Sequence, residues 1–469
     1  MTTNPKTDAK TDAKTDAKTD AKTDAKTDAG AAGANRVLVL STVAFTLLFA
    51  VWLMLGVLGV AIKTELHLDN VQFAWLTAIA VFSGSLLRLP AGLVTDRIGG
   101  RRVFVALLLA SAIPCYLLSR AQSYQGVLVC ALLYGIAGNS FSAGIAWNAA
   151  WFPRQRQGVA LGTFGAGNVG ASVTKLIGPA LITLVPAAGL LGGVLPGGWR
   201  IVPVLYTALL VAMALVLALF APAQDRTPGT GRSVSAMLAP LRQVRIWRFG
   251  LYYVAVFGAY VAFSLWLPSY YKNVYHLTLA KGALLTAFFI FPASLLRPVG
   301  GWLSDRYGAR PVTYAVFIAM LLASVMLAAP DGALGFHLGP VGFFALVEVL
   351  GIGMGLGKAS VYKYIPEYFP DDVGAAGGLV GTLGALGGFF LPIGFGYLES
   401  ASGRPESCFW LMSGLMASCL IWLHLVVTDI RRQRSRSRSP SPSRSSSSEM
   451  ETESESAAEG RLGARTALG

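Results

Sequence analysis

The sequence predicts an all-α integral membrane protein of twelve transmembrane helices, arranged as two related halves. Three observations carry this prediction. Hydrophobic residues make up 54% of the 469 and charged residues only 13%, where a soluble domain carries about 25% charged residues. Apolar runs long enough to cross a bilayer, about 20 residues each, recur along the whole middle of the chain. One phrase also occurs twice, SLLRLPAGLVTDRIGGRRV from Ser85 to Val103 and SLLRPVGGWLSDRYGARPV from Ser294 to Val312, identical at 10 of 19 positions.

In chain order the spans fall at 37–62, 71–95, 103–119, 126–151, 158–184, 200–221, 249–271, 282–303, 312–329, 340–362, 374–398 and 407–428. The runs are unbroken, whereas barrel strands would alternate over segments of about ten residues. Glycine is plentiful within them, with 53 residues in all. That suits helices that approach closely with no hydrophobic drive between them. The longest internal loop, Ala221 to Arg248, divides six helices from six. The expected organisation is a tail over 1–34, a six-helix bundle over 35–221, a linker over 222–248, a second bundle over 249–429 and a tail over 430–469.

Loop charge predicts the orientation. One side carries Arg97, Arg101, Arg102, Arg154, Arg156, Arg226, Arg232, Arg242, Arg245, Arg248, Arg306, Arg310 and Lys363, and the other only Lys63, Arg120, Lys272, Lys281 and Arg404. Thirteen against five places the first set and both termini in the cytoplasm of a cell with this protein in its plasma (inner) membrane. The net charge of +14 therefore reads as topology and contact with anionic lipid, with no nucleic-acid partner. Cys115, Cys130, Cys408 and Cys419 lie in apolar segments without ligand spacing, so no metal, cofactor or disulfide is expected.

Residues 6–29 are six copies of Lys-Thr-Asp-Ala. That pattern has no apolar face to bury and reads as a disordered tail, without the layout of a signal peptide. The C-terminal tail begins basic, RRQRSRSRS, and ends acidic. Its position directly after the last span favours a positive-inside anchor over RNA binding.

Asp96 and Arg97 close the second helix, and Asp305 and Arg306 close the eighth. Arg88 precedes Asp96 by eight residues, about 12 Å along a helix, and Arg297 stands at the same depth. An arginine so far from a helix end cannot snorkel out, and a charge inside a membrane is a functional-site hypothesis by default. Two related halves, each with one such cation, point to a transporter of an anion.

The stretch G-x-x-x-D-R-x-G-x-R, with Gly92, Asp96 and Arg97 in one copy and Gly301, Asp305 and Arg306 in the other, resembles the gating loops of the major facilitator superfamily. The first copy departs from the pattern at Gly100. In the fifth helix GTFGAGNVGASVTKLIGPALI, and in the eleventh GAAGGLVGTLGALGGFFLPIGFGYL, resemble the paired signature of the nitrate/nitrite porter family within it. The resemblance spans all twelve helices. It implies two pseudo-symmetric six-helix bundles rocking about a central site, and nitrate, or nitrite, as the substrate.

By this resemblance Arg88 and Arg297 clamp the anion, Asn168 donates to one of its oxygens, and Phe141, Tyr253 and Phe257 wall the pocket. Guanidinium is planar and offers donors in a fixed fork that suits a planar trigonal anion. A flat apolar sandwich would turn away hydrated tetrahedral anions. GAGNVG, Gly165 to Gly170, also satisfies a dinucleotide-binding pattern, but that fingerprint needs a preceding strand and a later acidic residue. The cofactor reading is therefore set aside.

Lys175, Glu348 and Lys358 are further ionisable residues within spans. They are candidates for proton coupling, or for a structural pair bridging helices. No central histidine is available, since His67, His276 and His337 fall in outer loops and His424 near the end of the last helix. The leading expectation is a secondary transporter that imports nitrate by proton symport, closest to the proton-coupled branch and working as a monomer. The alternatives are nitrate/nitrite antiport and a nitrate-sensing receptor on a transporter frame. No nucleophile–base pair supports an enzyme.

Overall fold

The computed structural model describes residues 31–186, 188–190, 195–228, 234–329, 338–370 and 372–438. The Lys-Thr-Asp-Ala repeats, Arg232, His337 and the C-terminal tail from 439 lie outside the described residues. The chain forms two compact units, one ending at Leu420 and one starting at Ile421. In the second unit, residues 421–438 are helical.

The first apolar stretch, Ala31–Glu65, contains α1 (31–52) and α2 (Leu55–Glu65), parted by a turn at Leu53 and Met54. Residues 31–34, expected in the tail, are already helical. Helix α3 (Asn70–Leu86) starts on a capping box: the Asp69 carboxylate accepts from Gln72 N at 2.7 Å, and the Gln72 side chain accepts from Asp69 N at 3.1 Å. It breaks at Leu87 and continues as α4 (Arg88–Ile98), bent by 40°. Pro90 lacks the N–H that would bond back to the Leu86 carbonyl, which favours a break there.

Next come α5 (Gly100–Leu118), α6 (Tyr124–Tyr134) and α7 (Ser140–Trp151), the last two joined by a 3₁₀ turn, Gly135–Asn139. The fifth expected span is two shorter helices, α8 (Arg154–Ala166) and α9 (Gly170–Leu184), around the 3₁₀ turn Gly167–Val169. Helix α10 (Ile201–Phe220) ends the first half, and α11 (Val234–Leu238) lies in the linker.

In the second half, α12 (Val244–Tyr253) starts five residues before the expected span. It runs through a π-helical turn, Val254–Gly258, into α13 (Ala259–Val274). Helix α14 (Leu279–Leu295) breaks at Leu296 before α15 (Arg297–Tyr307), whose second residue is Pro298. The remaining helices are α16 (Ala309–Ala328), α17 (Pro340–Tyr368), α18 (Val373–Ser402) and α19 (Ser407–Arg438). The last of these carries helix through 430–438, which was expected to be tail. Among the described residues ten helical stretches are long and apolar enough to span a membrane, or eleven with α3–α4 taken as one. Their exposed side chains, such as Ile113, Leu215, Leu219 and Leu322, are apolar, as a lipid-facing surface requires.

The two halves repeat each other in backbone as well as in sequence. Gly99 and Gly308 end α4 and α15 at φ 90° and 89°, ψ 150° and 149°, a region essentially reserved for glycine. His67 and His276 both adopt left-handed φ, 51° and 52°, after α2 and α13. Each pair is separated by 209 positions, as are Arg88 and Arg297.

First-half helices pack against second-half helices pairwise: α3 along α18, α9 along α14, and α2 along α13. At the end that carries Lys63 and Glu399 the backbones nearly touch. A β-carbon on Gly56 would stand 2.6 Å from the Ser264 carbonyl oxygen, and one on Gly396 2.6 Å from Ala74 Cβ. Phe73 lies against Trp266, and Trp75 against Phe389. This end is sealed. Glu65 and Arg200 pair here at 2.6 Å, which adds Arg200 to the sparser side of the loop-charge comparison. Toward the Asp96/Asp305 end, Gly158 and Gly162 on α8 and Gly374 on α18 have no neighbour within 4 Å of where a β-carbon would sit.

Candidate functional site

The two helix breaks place the arginines. Arg88 opens α4 and is 1% exposed. Its Nε donates back across the break to the Gly84 carbonyl at 3.1 Å, and its Nη1 reaches toward the Gly381 carbonyl on α18 at 3.5 Å. Its Nη2 is buried with no hydrogen-bond partner. The guanidinium lies 5.3, 5.5 and 5.3 Å from the ring centroids of Trp52, Phe141 and Phe257.

Arg297 opens α15 and is half-buried. Its guanidinium lies 5.8 Å from the Phe141 ring and 5.4 Å from that of Tyr362, and its Nη1 is buried without a partner. A β-carbon on Gly165 would stand 3.2 Å from that nitrogen. Each arginine therefore reaches across to the glycine-rich segment of the other half, Arg88 to Gly381 and Arg297 to Gly165.

Asn168 sits in the 3₁₀ turn between α8 and α9, 1% exposed, with both side-chain amide atoms unpartnered. Its carbonyl accepts from Tyr260 Oη at 3.1 Å, and Tyr260 Oη lies 3.1 Å from Ser294 Oγ, three residues before Arg297. The GAGNVG segment closes one helix and opens the next, so the strand that a dinucleotide site needs is not in front of it.

Tyr253 immediately precedes the π turn and Phe257 lies within it, a feature frequent at functional sites. They stack on each other at 5.2 Å and 15°, forming one continuous wall instead of two plates around a ligand. Phe257 faces Arg88, and Tyr253 meets Tyr362 edge-on at 4.7 Å. A β-carbon on Gly384 would fall 2.2 Å from Tyr253 Cδ1, so this wall presses directly on the backbone of α18. Trp52, Tyr362 and Tyr260 completed the surroundings without having been singled out in the sequence. Tyr362 had a signal, standing one turn after Lys358; Trp52 and Tyr260 were hidden among many spanning aromatics.

The remaining charges in the spans do not pair. Lys175, 1% exposed, donates to the Leu53 carbonyl at 3.1 Å. Lys358, fully buried, donates to the Ala293 carbonyl at 2.8 Å and lies 3.4 Å from the Tyr260 ring centroid. Glu348 is half-buried with Oε1 unpartnered. The structural pair held open as an alternative for Glu348 and a lysine is not formed among the described residues.

At the loop end, Gly92 and Gly301 meet no atom closer than 3.9 Å and 4.0 Å from a β-carbon position. Asp305 pairs with Lys363, while Arg97 and Arg306 point to the exposed surface, Arg306 over Trp302 and Tyr307. Asp225, which sequence reading passed over as linker, fastens the first loop. It accepts from Trp147 Nε1 at 2.8 Å, Trp151 Nε1 at 3.0 Å and Arg101 N at 2.9 Å.

The chemistry of this arrangement suits an anion. Two guanidiniums and a carboxamide offer unpartnered buried donors, which native proteins rarely leave idle, and aromatic faces shield the cations.

The sequence profile of the Major Facilitator Superfamily matches residues 40–392 and 282–457. The "Probable nitrate/nitrite antiporter NarK1" of Thermus thermophilus is 58% identical over 410 residues, 85% of this chain and 93% of that protein. The "Nitrite extrusion protein" of Bacillus subtilis is 30% identical, covering 80% and 91%, and the "Probable nitrate transporter NarT" of Staphylococcus carnosus 30%, covering 82% and 95%. Among solved structures, an inward-facing, occupied bacterial homologue of the human lysosomal transporter Spinster superimposes with a TM-score of 0.67 at 16% identity, over 84% of this chain and 97% of that one. A D-xylose–proton symporter gives 0.64 at 13%, over 83% and 97%. At these identities the structures speak for the fold alone.

The proton symport expected from the extra membrane charges is corrected by these relatives, the 58% identical one bearing the name of an antiporter and the Bacillus protein that of a nitrite extruder. The chain is a multi-pass membrane transporter, not an enzyme, and belongs to the nitrate/nitrite porter family of the major facilitator superfamily.

Proposed function

We propose that the protein exchanges nitrate for nitrite across the cytoplasmic membrane, holding either anion between Arg88 and Arg297. The observation that carries this reading is the pair of guanidiniums, each with a buried unpartnered donor and, among the described residues, no carboxylate paired with either. Asn168 donates to a bound oxygen, and Phe141, Tyr253 and Phe257 wall the pocket with Trp52 and Tyr362. Each anion is planar, so a fork of donors and flat aromatic walls suit both.

Exchange follows from charge. An empty site carries two cations with no counter-charge, and closing it away from water is costly. One bound anion removes half of that excess, so both legs of the cycle favour a loaded site. The names borne by relatives at 58% and 30% identity support the same reading.

The cycle is alternating access between two six-helix bundles, 35–221 and 249–429, of a twelve-helix monomer with both termini in the cytoplasm. The loops at Gly92, Asp96 and Arg97 and at Gly301, Asp305 and Arg306 act as gates. The Lys63/Glu399 end then faces outward and is the closed one. The test is counterflow in sealed vesicles holding the purified protein. Nitrate uptake should need nitrite or nitrate on the opposite side and should move no protons. Uptake into anion-free vesicles would overturn it.

A further inference from the structure

Between the arginine site and the sealed end, the face of the fifth span that continues beyond Asn168 carries two buried polar groups, Ser172 and Lys175, that the clamp does not use. Asn168, Ser172 and Lys175 stand at i, i+4 and i+7, so they follow one another along one side of the helix. All three are 1% exposed. Ser172 Oγ has no hydrogen-bond partner, and neither have the Asn168 amide atoms. The Lys175 ammonium has three donors and, among the described residues, one hydrogen-bond acceptor, the carbonyl of Leu53 at the turn between α1 and α2. That acceptor is neutral, which is little compensation for a cation buried in a membrane.

The position of this ammonium is as telling as its burial. The point where α2 touches α13 is Gly56, and a β-carbon there would stand 2.6 Å from the Ser264 carbonyl oxygen and 3.3 Å from Lys175 Nζ. Lys175 therefore lies at the seam between the halves, on the side that is closed. When that seam parts, the ammonium and the Ser172 hydroxyl border the new opening. Asn168 then links them to Arg88 and Arg297, about 10 Å away along the helix at 1.5 Å per residue.

We propose that Ser172 and Lys175 form a second station for a small monovalent anion, occupied as the ion passes between the arginine pair and the Lys63/Glu399 end. The station rests on the exchange reading. It gives Lys175 a use for its charge that needs no proton, and it works on one leg of the cycle only. The arginines, by contrast, serve both.

The experiment uses vesicles with the protein in one orientation, and measures exchange with nitrate varied first on one side and then on the other. Lys175→Gln keeps an N–H for the Leu53 carbonyl and removes the charge, so the helix turn stays capped. It should raise the KM for nitrate at the Lys63/Glu399 side about tenfold, the loss of one charged contact, and leave the opposite KM unchanged. Ser172→Ala should shift the same KM in the same direction, and Lys175→Arg should restore most of it. Unchanged values on both sides, or an equal rise on both, would overturn the station. If wild-type vesicles show no exchange at all, the exchange reading itself fails, a result distinct from a symmetric Lys175→Gln.

Discussion

Arg88 and Arg297 share the ring of Phe141, at 5.5 and 5.8 Å from its centroid. Each guanidinium comes from a different half of the chain, and both have an unpartnered donor. The ring's negative faces offset part of the repulsion between two like charges held in a low-dielectric interior. Phe141→Leu keeps the apolar volume and removes that quadrupole. Nitrate KM should rise about three- to thirtyfold, the range of a desolvated cation–π contact, while the amount of folded protein stays the same. Equilibrium binding to the purified variant checks this.

Lysine cannot replace either arginine. Arg88→Lys and Arg297→Lys keep the charge but lose the planar fork, and with it the simultaneous contacts to aromatic faces, cross-half backbone and anion. Each should lower kcat/KM for exchange at least about a hundredfold, two charge-assisted contacts' worth. Melting in detergent should stay near wild type. Near-normal exchange in both variants would remove the clamp.

The two cross-half glycines should differ in sensitivity. A β-carbon on Gly381 would lie 2.7 Å from Tyr362 Oη, which donates to the Gly377 carbonyl at 3.1 Å. Gly381→Ala therefore displaces Tyr362 from beside Arg297. Gly165→Ala meets only the far end of the Arg297 side chain at 3.2 Å, which can give way. The expected order is a large loss of nitrate affinity for Gly381→Ala and a smaller one for Gly165→Ala, measured as KM at matched expression.

The parts legible in the sequence were those that repeat or that break a physical rule. Arg88 and Arg297 stood out because charge inside a span is rare, and the doubled phrase announced two halves. The second repeat was missed: His67 and His276 share a left-handed backbone, but their flanking residues, Leu-His-Leu-Asp and Tyr-His-Leu-Thr, agree too little to be noticed. Tyr260 and Trp52 escaped because one aromatic in a span looks like any other until a neighbour is known. Asp225 escaped because a linker carboxylate has no periodicity to betray its partners. Lys175 and Lys358 were noticed, but the sequence cannot say that each buried ammonium ends on a backbone carbonyl.

Asp225 should matter for stability more than for transport chemistry. Asp225→Ala leaves the Trp147 and Trp151 indole N–H groups and the Arg101 amide without their acceptor. Each orphaned buried donor costs about 1–3 kcal/mol. The variant should melt several degrees lower in detergent, with KM for nitrate unchanged in the fraction that remains folded. Asp225→Asn should recover part of the loss, since its carbonyl can still receive both indoles while its NH₂ faces the Arg101 N–H.

At the sealed end, Lys63 of the first half stands near Glu399 of the second. A small cavity of about 10 Å³ is lined by Lys63 and Asn70 from the first half and by Ser269 and Glu399 from the second. Lys63 donates to Asn70 Oδ1 at 2.5 Å, and Glu399 lies within electrostatic range of Lys63. That attraction exists only while the halves are together, so it favours the closed form over the open one, and a differential contact of this kind shifts the population. Glu399→Gln removes the charge and keeps the shape. A Ser269→Cys probe should then react faster with an impermeant thiol reagent applied at this end, by about three- to tenfold for a shift near 1 kcal/mol. The native cysteines are buried and should contribute little background. Adding Lys63→Gln to Glu399→Gln should give no further increase, because either change alone breaks the pair. An unaltered rate in Glu399→Gln would leave the seal to the close contacts at Gly56 and Gly396 and to the packing of Phe73 on Trp266 and Trp75 on Phe389.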